Sequence, residues 1–81
     1  MTDLKNALEA ILFAAGESVP VGRLSLVLEA DQDEILRAAK ELSDEYDRGG
    51  RGIRLMRMDN KLQLCSAPEF ASLIIKTLEQ R

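Results

Sequence analysis

The sequence contains no histidine, which removes the side chain that most often acts as a general base. Without an imidazole, no Ser–His or Cys–His pair can form a nucleophilic site. The acidic pairs Asp33-Glu34 and Asp44-Glu45 are adjacent in a predicted helix, so their side chains point in different directions and do not form a paired-carboxylate site. Residues 49–52 are rich in glycine but lack the lysine and serine or threonine of a phosphate-binding loop. We therefore expect no enzymatic activity.

Only one cysteine is present, so no disulfide can form within the chain. We interpret Cys65 as a structural thiol, and a single cysteine is typical of a reducing compartment. The apolar N-terminal segment has no basic region before it and contains Asp3 and Glu9, so it does not resemble a signal peptide. No apolar run approaches the roughly 20 residues that a membrane-spanning helix needs. We expect a cytoplasmic protein that does not contact a membrane.

The length of 81 residues predicts one small domain that spans residues 1–81. Apolar residues make up 46% of the chain and charged residues 31%, which is typical of a folded domain rather than a disordered segment. A domain of this size has a small core and is only marginally stable, and this one has no metal-ligand set to compensate. Association with another copy or another domain is therefore an expected source of stability.

Apolar residues at helical spacing predict four helices. Their expected ranges are 3–15, 21–29, 31–47 with Asp31 as the cap, and 68–80. Thr2 is the predicted N-cap of the first helix, with Asp3 in its first turn and Gly16 as its C-terminal stop. Asp31 with Glu34 three residues later matches a capping box. In the second and fourth helices, the residues predicted to face inward are Leu24, Val27, Leu28, Phe70, Leu73, Ile74 and Leu78.

A β-hairpin is predicted between the third and fourth helices, with strands at 53–58 and 61–65. Asp59-Asn60 forms its two-residue turn, because both residue types tolerate a positive φ. In this register Leu55 faces Leu64 and Arg57 faces Leu62. The residues predicted to face the core are Ile53, Leu55, Leu62 and Leu64. Residues 17–20 are expected to form only a short extended link between the first two helices.

Three helices, a hairpin and a last helix are the order of a winged helix-turn-helix domain, an α+β fold. Such domains often bind DNA by placing the third helix in the major groove, which requires Arg, Lys, Asn or Gln side chains toward the bases. Residues 31–48 instead carry seven acidic and three basic residues, a net charge of −4. Because phosphates repel such a helix, we expect direct DNA binding to be weak or absent.

Positive charge is concentrated in the predicted hairpin. Residues 1–47 have a net charge of −7, whereas residues 48–61 have a net charge of +4. We define the basic wing as Arg51, Arg54, Arg57 and Lys61. Two interpretations are open: the wing contacts a DNA backbone weakly and without sequence readout, or its side chains pair with acidic groups of the third helix or of a partner protein. The acidic remainder of the chain favours the second.

Five apolar residues lie away from the predicted inner faces. Phe13, Leu26 and Ile75 each lie off the main stripe of a helix, and Met56 and Met58 project from the hairpin face opposite Leu55. One exposed apolar residue is ordinary. Five leave more apolar surface than a chain this short readily buries, and we predict that they contribute to a protein interface.

Two long segments resemble the bacterial segregation and condensation protein B family. They are LKNALEAILFAAGESVPVGRLSLVLEAD at 4–31 and LSDEYDRGGRGIRLMRMDNKLQLCSAPEF at 42–70. No short motif is diagnostic alone, but ALEAILFAAGE, the acidic third helix, DRGGRGI and APEF together are specific. The resemblance covers essentially the whole chain.

The resemblance implies a tandem pair of winged-helix domains, of which this chain would be the first. It also implies a homodimer, formed largely through that first domain, without a cofactor. Its implied partners are the kleisin subunit, segregation and condensation protein A, and the SMC ATPase, in a nucleoid-associated complex that condenses and segregates chromosomes. The alternative function is a winged-helix DNA-binding transcription regulator.

Overall fold

The computed structural model describes residues 3–79, and these residues adopt an α+β fold. In chain order the elements are α1 (Leu4–Ala15), β1 (Val19–Pro20), α2 (Val21–Leu28), α3 (Gln32–Arg48), β2 (Ile53–Met58), β3 (Lys61–Ser66), a 3₁₀ turn (Pro68–Phe70) and α4 (Ala71–Glu79). This is the predicted winged helix-turn-helix, with α1 to α3 as the helical body and the β2–β3 hairpin as the wing.

Local capping fixes both ends of α1. The Asp3 carboxylate accepts a hydrogen bond from the Asn6 backbone N–H at 3.3 Å, so Asp3 is the N-cap. The placement of Asp3 in the first turn was therefore wrong by one position, and Thr2 lies outside the described residues. Gly16 ends the helix with a φ of 66°, a left-handed conformation that favours glycine, as predicted.

Removing the cap of α3 is expected to lower the free energy of unfolding by about 1 kcal/mol. The Asp31 carboxylate accepts from the Glu34 backbone N–H at 2.9 Å, and the Asp31 backbone N–H donates to the Glu34 carboxylate at 3.1 Å. Asp31→Ala breaks this capping box, and urea unfolding measures the loss. Asp33→Ala is the matched control, because Asp33 is exposed in the same first turn and caps no helix. Equal losses from both variants would contradict the capping explanation.

The sheet contains the predicted hairpin and one additional strand. β2 and β3 pair with Leu55 opposite Leu64 and Arg57 opposite Leu62, which confirms the predicted register. At the turn, Asp59 has the expected positive φ of 52°. The predicted extended link also forms β1, since Val19 pairs with Leu62 and places β3 in the centre of the order β1-β3-β2. The hairpin is thereby attached to the chain segment between α1 and α2.

The core lies between α1, α2, α3 and the inner face of the sheet. Leu8, Leu12, Leu24, Ile35 and Leu62 are each at most 1% exposed. Smaller side chains complete the cluster: Val19, Val21, Ala38 and Ala39. Among the described residues, no buried side-chain nitrogen or oxygen lacks a hydrogen-bond partner. Three helices and one face of the sheet therefore enclose this core, and α4 contributes no residue to it.

Several side chains predicted to face the core are exposed instead. Val27 lies on the outer side of the short α2 helix, and Ile53 lies at the open end of β2. In the last helical segment Phe70, Leu73 and Leu78 are exposed, and only Ile74 is half-buried. The predicted orientation of α4 was wrong because helical periodicity identifies an apolar face but does not show that the same domain covers it.

Candidate protein-interaction surfaces

In the basic wing, Arg54 forms ion pairs within the domain, whereas the other three cations are exposed. The Arg54 side chain is only 27% exposed. Its guanidinium lies 3.5 Å from the Asp47 carboxylate of α3 and 3.6 Å from the Glu69 carboxylate of the 3₁₀ turn. It also donates a hydrogen bond to the Arg51 carbonyl oxygen at 2.5 Å. Arg54 thus links the wing to α3 and to the turn before α4, and its charge is largely engaged within the domain.

The other wing cations remain at the surface. Arg51, Arg57 and Lys61 are exposed, and Lys61 adjoins the Asp59-Asn60 turn at the tip of the hairpin. Arg57 lies on the core side of β2, where it lines a groove against α3. These three side chains are therefore spread from the loop before β2 to the tip of the hairpin, and their positive charge is available to an acidic surface of another molecule.

The groove between α3 and the hairpin combines an apolar floor with a charged rim. Leu36, Ala39, Leu55 and Leu62 line its floor, and its volume is about 170 Å³. On the rim, Lys40 forms an ion pair with Asp44 at 3.4 Å, and Arg57 lies on the opposite wall. The groove is therefore an open surface depression in which apolar and charged side chains lie side by side.

The outward surface of α3 is acidic, and part of its charge is paired. Lys5 of α1 forms an ion pair and hydrogen bond with Glu45, and this bond raises the pKa of the lysine above its ordinary value. Asp33 and Glu41 are exposed, and the exposed cations Arg37 and Lys40 lie between them in the chain. In a winged helix that reads DNA, this helix would face the phosphates, and its negative charge makes that contact unfavourable.

The apolar interface candidates all lie at the surface. Leu26 and Phe13 are the most exposed, at 80% and 79% of their area. Met56, Met58 and Ile75 are also exposed. Helical-wheel and strand-alternation arguments placed these five side chains outside the core, and their exposure agrees with that placement. Their contact with a partner stays a prediction.

Phe70, Leu73 and Leu78 form a further apolar surface that the sequence reasoning missed. The order of elements could have indicated this surface. Three helices and a hairpin are enough to cover both sides of the core in a domain of this size. A fourth apolar helix then has no vacant side of the core to cover.

Residues 3–79 were also compared with the requirements of a metal site, a reactive thiol and a membrane-spanning helix. No group of three or more histidine, cysteine, aspartate or glutamate side chains is placed to hold a metal ion in this range. The Cys65 thiol is half-buried and donates a hydrogen bond to the Arg54 carbonyl oxygen at 3.7 Å, which agrees with a structural role. Across the same described range, the helices are too short or too polar to cross a membrane.

Curated relatives share a single description. A protein from Lachnoclostridium phytofermentans named segregation and condensation protein B is 36% identical over 73 residues, which cover 90% of this chain and 39% of the relative. A protein of the same name from Caldanaerobacter subterraneus is 33% identical over 75 residues, covering 93% of this chain and 45% of the relative. The chain therefore spans about two fifths of the length of these relatives.

Two solved structures have the same fold as this chain. A crystal structure of a dimer of the ScpB N-terminal domain complexed with a ScpA peptide is 31% identical, with a TM-score of 0.82, and covers 90% of this chain and 91% of that one. ScpB from Mycobacterium tuberculosis has the same fold, with a TM-score of 0.87 over 94% of this chain and 48% of that one, at 24% identity. The family model for the segregation and condensation complex subunit ScpB matches residues 6–81. The chain belongs to the ScpB family.

Proposed function

We propose that this chain is a non-enzymatic interaction module of a bacterial SMC–kleisin complex. In this proposal it is the first of two winged-helix domains, it forms a homodimer, and it binds the kleisin ScpA without any cofactor. The observation that carries the proposal is the match to a dimeric ScpB N-terminal domain complexed with a ScpA peptide, because that match covers nine tenths of both chains. The module then acts in chromosome condensation and segregation.

The surface chemistry supports a protein partner. Exposed apolar side chains occur on α1, α2, β2 and α4, including Phe13, Leu26, Met56, Met58 and Ile75. Protein interfaces are enriched in aromatic residues and methionine, and an apolar side chain in a desolvated pocket often contributes most of the binding energy. The groove between α3 and the hairpin has apolar side chains on its floor. We assign these residues and this groove to partner contacts.

Charge also favours a protein partner over DNA. The exposed cations Arg57 and Lys61 lie on the hairpin and Arg51 lies just before it, and Arg57 lines the groove. An acidic segment of a partner could place an apolar side chain in the groove and carboxylates beside these cations. Such complementary charge sets the register of a contact and speeds association. The acidic surface of α3 opposes the equivalent contact with phosphate.

The proposed binding to ScpA also indicates how the chain would act within the larger SMC–kleisin complex. A dimeric module that binds ScpA can influence the arrangement of the SMC ATPase without touching its nucleotide. We therefore assign to the chain a regulatory contact with the SMC ATPase through the kleisin. The resulting location is cytoplasmic and nucleoid-associated.

Mixing the chain with purified ScpA tests the proposal directly. Light scattering after size-exclusion chromatography is expected to give a dimer for the chain alone and a larger complex after mixing. Adding the charge-reversal change Arg57→Glu beside the groove is expected to weaken the complex at least about 10-fold, since it places like charge against an acidic segment. A free monomer together with no complex would contradict the proposal. A gel shift with duplex DNA at low salt would instead favour the transcription-regulator alternative.

A further inference from the structure

The strand β2 lies at one edge of the sheet and is paired on one side only. The strand order is β1-β3-β2, so β3 is its one hydrogen-bonded strand within residues 3–79. The opposite edge is β1, which has two residues, and one of them is a proline without an N–H group. A row of unpaired N–H and C=O groups at a sheet edge is a template for a further strand. The six-residue β2 is therefore the edge at which this sheet can be extended.

A hydrogen bond before the start of β2 shows which of its backbone groups point outward. The Ala67 N–H donates to the Gly52 carbonyl oxygen at 2.8 Å, so these two residues continue the ladder between β2 and β3. Residues of an antiparallel strand alternate between bonding to the neighbouring strand and pointing away from it. Counting on from Gly52, the residues of β2 that bond to β3 are Arg54, Met56 and Met58. The residues whose N–H and C=O groups point outward are Ile53, Leu55 and Arg57.

A second hydrogen bond, on the other side of β3, gives the same alternation. The Val21 N–H donates to the Asn60 carbonyl oxygen at 2.7 Å, and Val19 pairs with Leu62 two residues further along. Leu62 therefore directs its backbone groups toward β1 rather than toward β2. Since Arg57 is opposite Leu62 in the hairpin, the backbone groups of Arg57 face away from β3.

The open part of the edge is short and has a defined end. The Arg54 guanidinium donates to the Ile53 carbonyl oxygen at 3.1 Å, so a side chain of the domain already occupies the outward carbonyl at the start of β2. Among the described residues, no loop or side chain forms a hydrogen bond with the outward groups of Leu55 and Arg57. Two N–H and two C=O groups are thus available to an added strand.

The side chains beside this open edge differ in kind. Leu55 is half-buried and Arg57 is exposed, and both line the groove between α3 and the hairpin. A strand added to β2 would place alternate residues over the same groove, one beside Leu55 and one beside Arg57. An apolar residue suits the first position and a carboxylate suits the second. The two positions are separated by one residue that points to the other face of the sheet.

Charge distinguishes between the possible occupants of the edge. Residues 53–58 contain two arginines and no acidic residue. Pairing of β2 with β2 of a second copy would bring four arginines into one small sheet, and charges on an edge strand are a common protection against such self-pairing. An acidic segment of another protein instead complements this edge.

We propose that β2 accepts an extended, acidic segment of a partner protein as an added strand, paired with the outward backbone groups of Leu55 and Arg57. The inference rests on the proposed binding of ScpA, and it adds that the bound segment pairs through its main chain. In strand addition, main-chain hydrogen bonds supply affinity and alternate side chains supply specificity. The segment therefore has an apolar residue beside Leu55 and an aspartate or glutamate two positions away, beside Arg57.

Amide hydrogen exchange measured by NMR tests the pairing residue by residue. In the chain alone, the amides of Leu55 and Arg57 are expected to exchange rapidly, because no partner accepts their hydrogen bonds. The amide of Met56 is the internal control, since its bond to β3 slows its exchange in the same strand. Addition of purified ScpA should slow the exchange at Leu55 and Arg57 at least about 10-fold.

Two variants at one position separate the main chain from the charge. Arg57→Pro removes the outward N–H and the charge, and a sheet edge tolerates proline where the N–H does not bond to the neighbouring strand. Arg57→Gln is the matched control, because it removes the same charge and retains the N–H. The proline variant should bind ScpA at least about 10-fold more weakly than the glutamine variant. Slow exchange of the Met56 amide in both variants would show that the hairpin remains paired.

Each other outcome contradicts a definite part of the inference. A ScpA complex in which Leu55 and Arg57 exchange as in the chain alone would overturn strand addition while leaving the binding of ScpA intact. Equal binding by Arg57→Pro and Arg57→Gln would reduce the contact to charge and overturn it too. Slow exchange at both amides in the concentrated chain without ScpA would assign the edge to a second copy and overturn the acidic partner. Absence of any ScpA complex would contradict the proposed function together with the inference.

Discussion

Replacing Leu62 by alanine is expected to lower the free energy of unfolding by about 2–5 kcal/mol. Leu62 is 0% exposed and lies on β3, the central strand, where it packs in the same cluster as Leu8, Leu12 and Ile35. Its removal loses the transfer free energy of the side chain and leaves a cavity beneath the sheet. A domain of this size has roughly 3–5 kcal/mol of core stability, so much of the variant should be unfolded.

Urea unfolding followed by circular dichroism measures this loss. Leu26→Ala is the matched control, because it makes the same chemical change at a position that is 80% exposed. Its free energy of unfolding should change by less than about 0.5 kcal/mol. A Leu62→Ala variant as stable as Leu26→Ala would contradict the placement of β3 at the centre of the core. If dimerisation contributes to stability, both measurements should be repeated at two protein concentrations.

Features with local causes could be predicted from the sequence. The Asp59-Asn60 turn determines the hairpin register, because a two-residue turn leaves one way to pair the flanking strands. The Asp31 and Glu34 spacing located the start of α3, since both hydrogen bonds of the capping box lie within four residues. Exposure of Phe13 and Leu26 followed from helical spacing alone.

Features that depend on distant parts of the chain could not be predicted in this way. The strand β1 has only two residues, and one of them is a proline, so no strand pattern marks it. It forms because β3 offers a free edge opposite Val19. The engagement of Arg54 likewise depends on Asp47 and Glu69, which the fold brings to one place from two other elements. The wing therefore looks more basic in the sequence than it is at the surface.

The exposure of α4 has the same kind of cause. The apolar spacing of Leu73, Ile74 and Leu78 predicts a covered face, and the sequence does not say whether this domain or another molecule covers it. The deciding fact is that α1, α2, α3 and the sheet already enclose the core. Whether an amphipathic helix is part of a core or part of an interface is thus a property of the whole fold.

A second large effect is expected at alkaline pH, from the only tyrosine of the chain. Tyr46 of α3 is 5% exposed, and its hydroxyl donates a hydrogen bond to the Glu9 carboxylate of α1 at 2.5 Å. Burial raises the pKa of Tyr46 above its ordinary value of about 10, and the hydrogen bond and charge of Glu9 raise it further. The nearby charge of Glu45 acts in the same direction, and that of Arg51 opposes it.

The sign of the effect follows from the protonation of the two states. Below pH 10 the phenol is protonated in both the folded and the unfolded chain, so the contribution of Tyr46 is fully present. Above pH 10 the unfolded chain loses this proton while the folded chain retains it, and stability falls with increasing pH. The slope approaches about 1.4 kcal/mol per pH unit, which gives a loss of roughly 2 kcal/mol by pH 11.5.

Comparison with Tyr46→Phe isolates this contribution from the titration of lysines. At pH 7 the variant should be less stable than the wild type by about 0.5–1.5 kcal/mol, because the hydrogen bond to Glu9 is lost. Between pH 9 and pH 11.5 the difference should shrink by roughly 2 kcal/mol and reverse in sign, since phenylalanine has no proton to lose in either state. Urea unfolding at a series of pH values measures both curves. Curves that stay parallel over this range would show that the hydroxyl of Tyr46 ionises as readily in the folded chain as in the unfolded one.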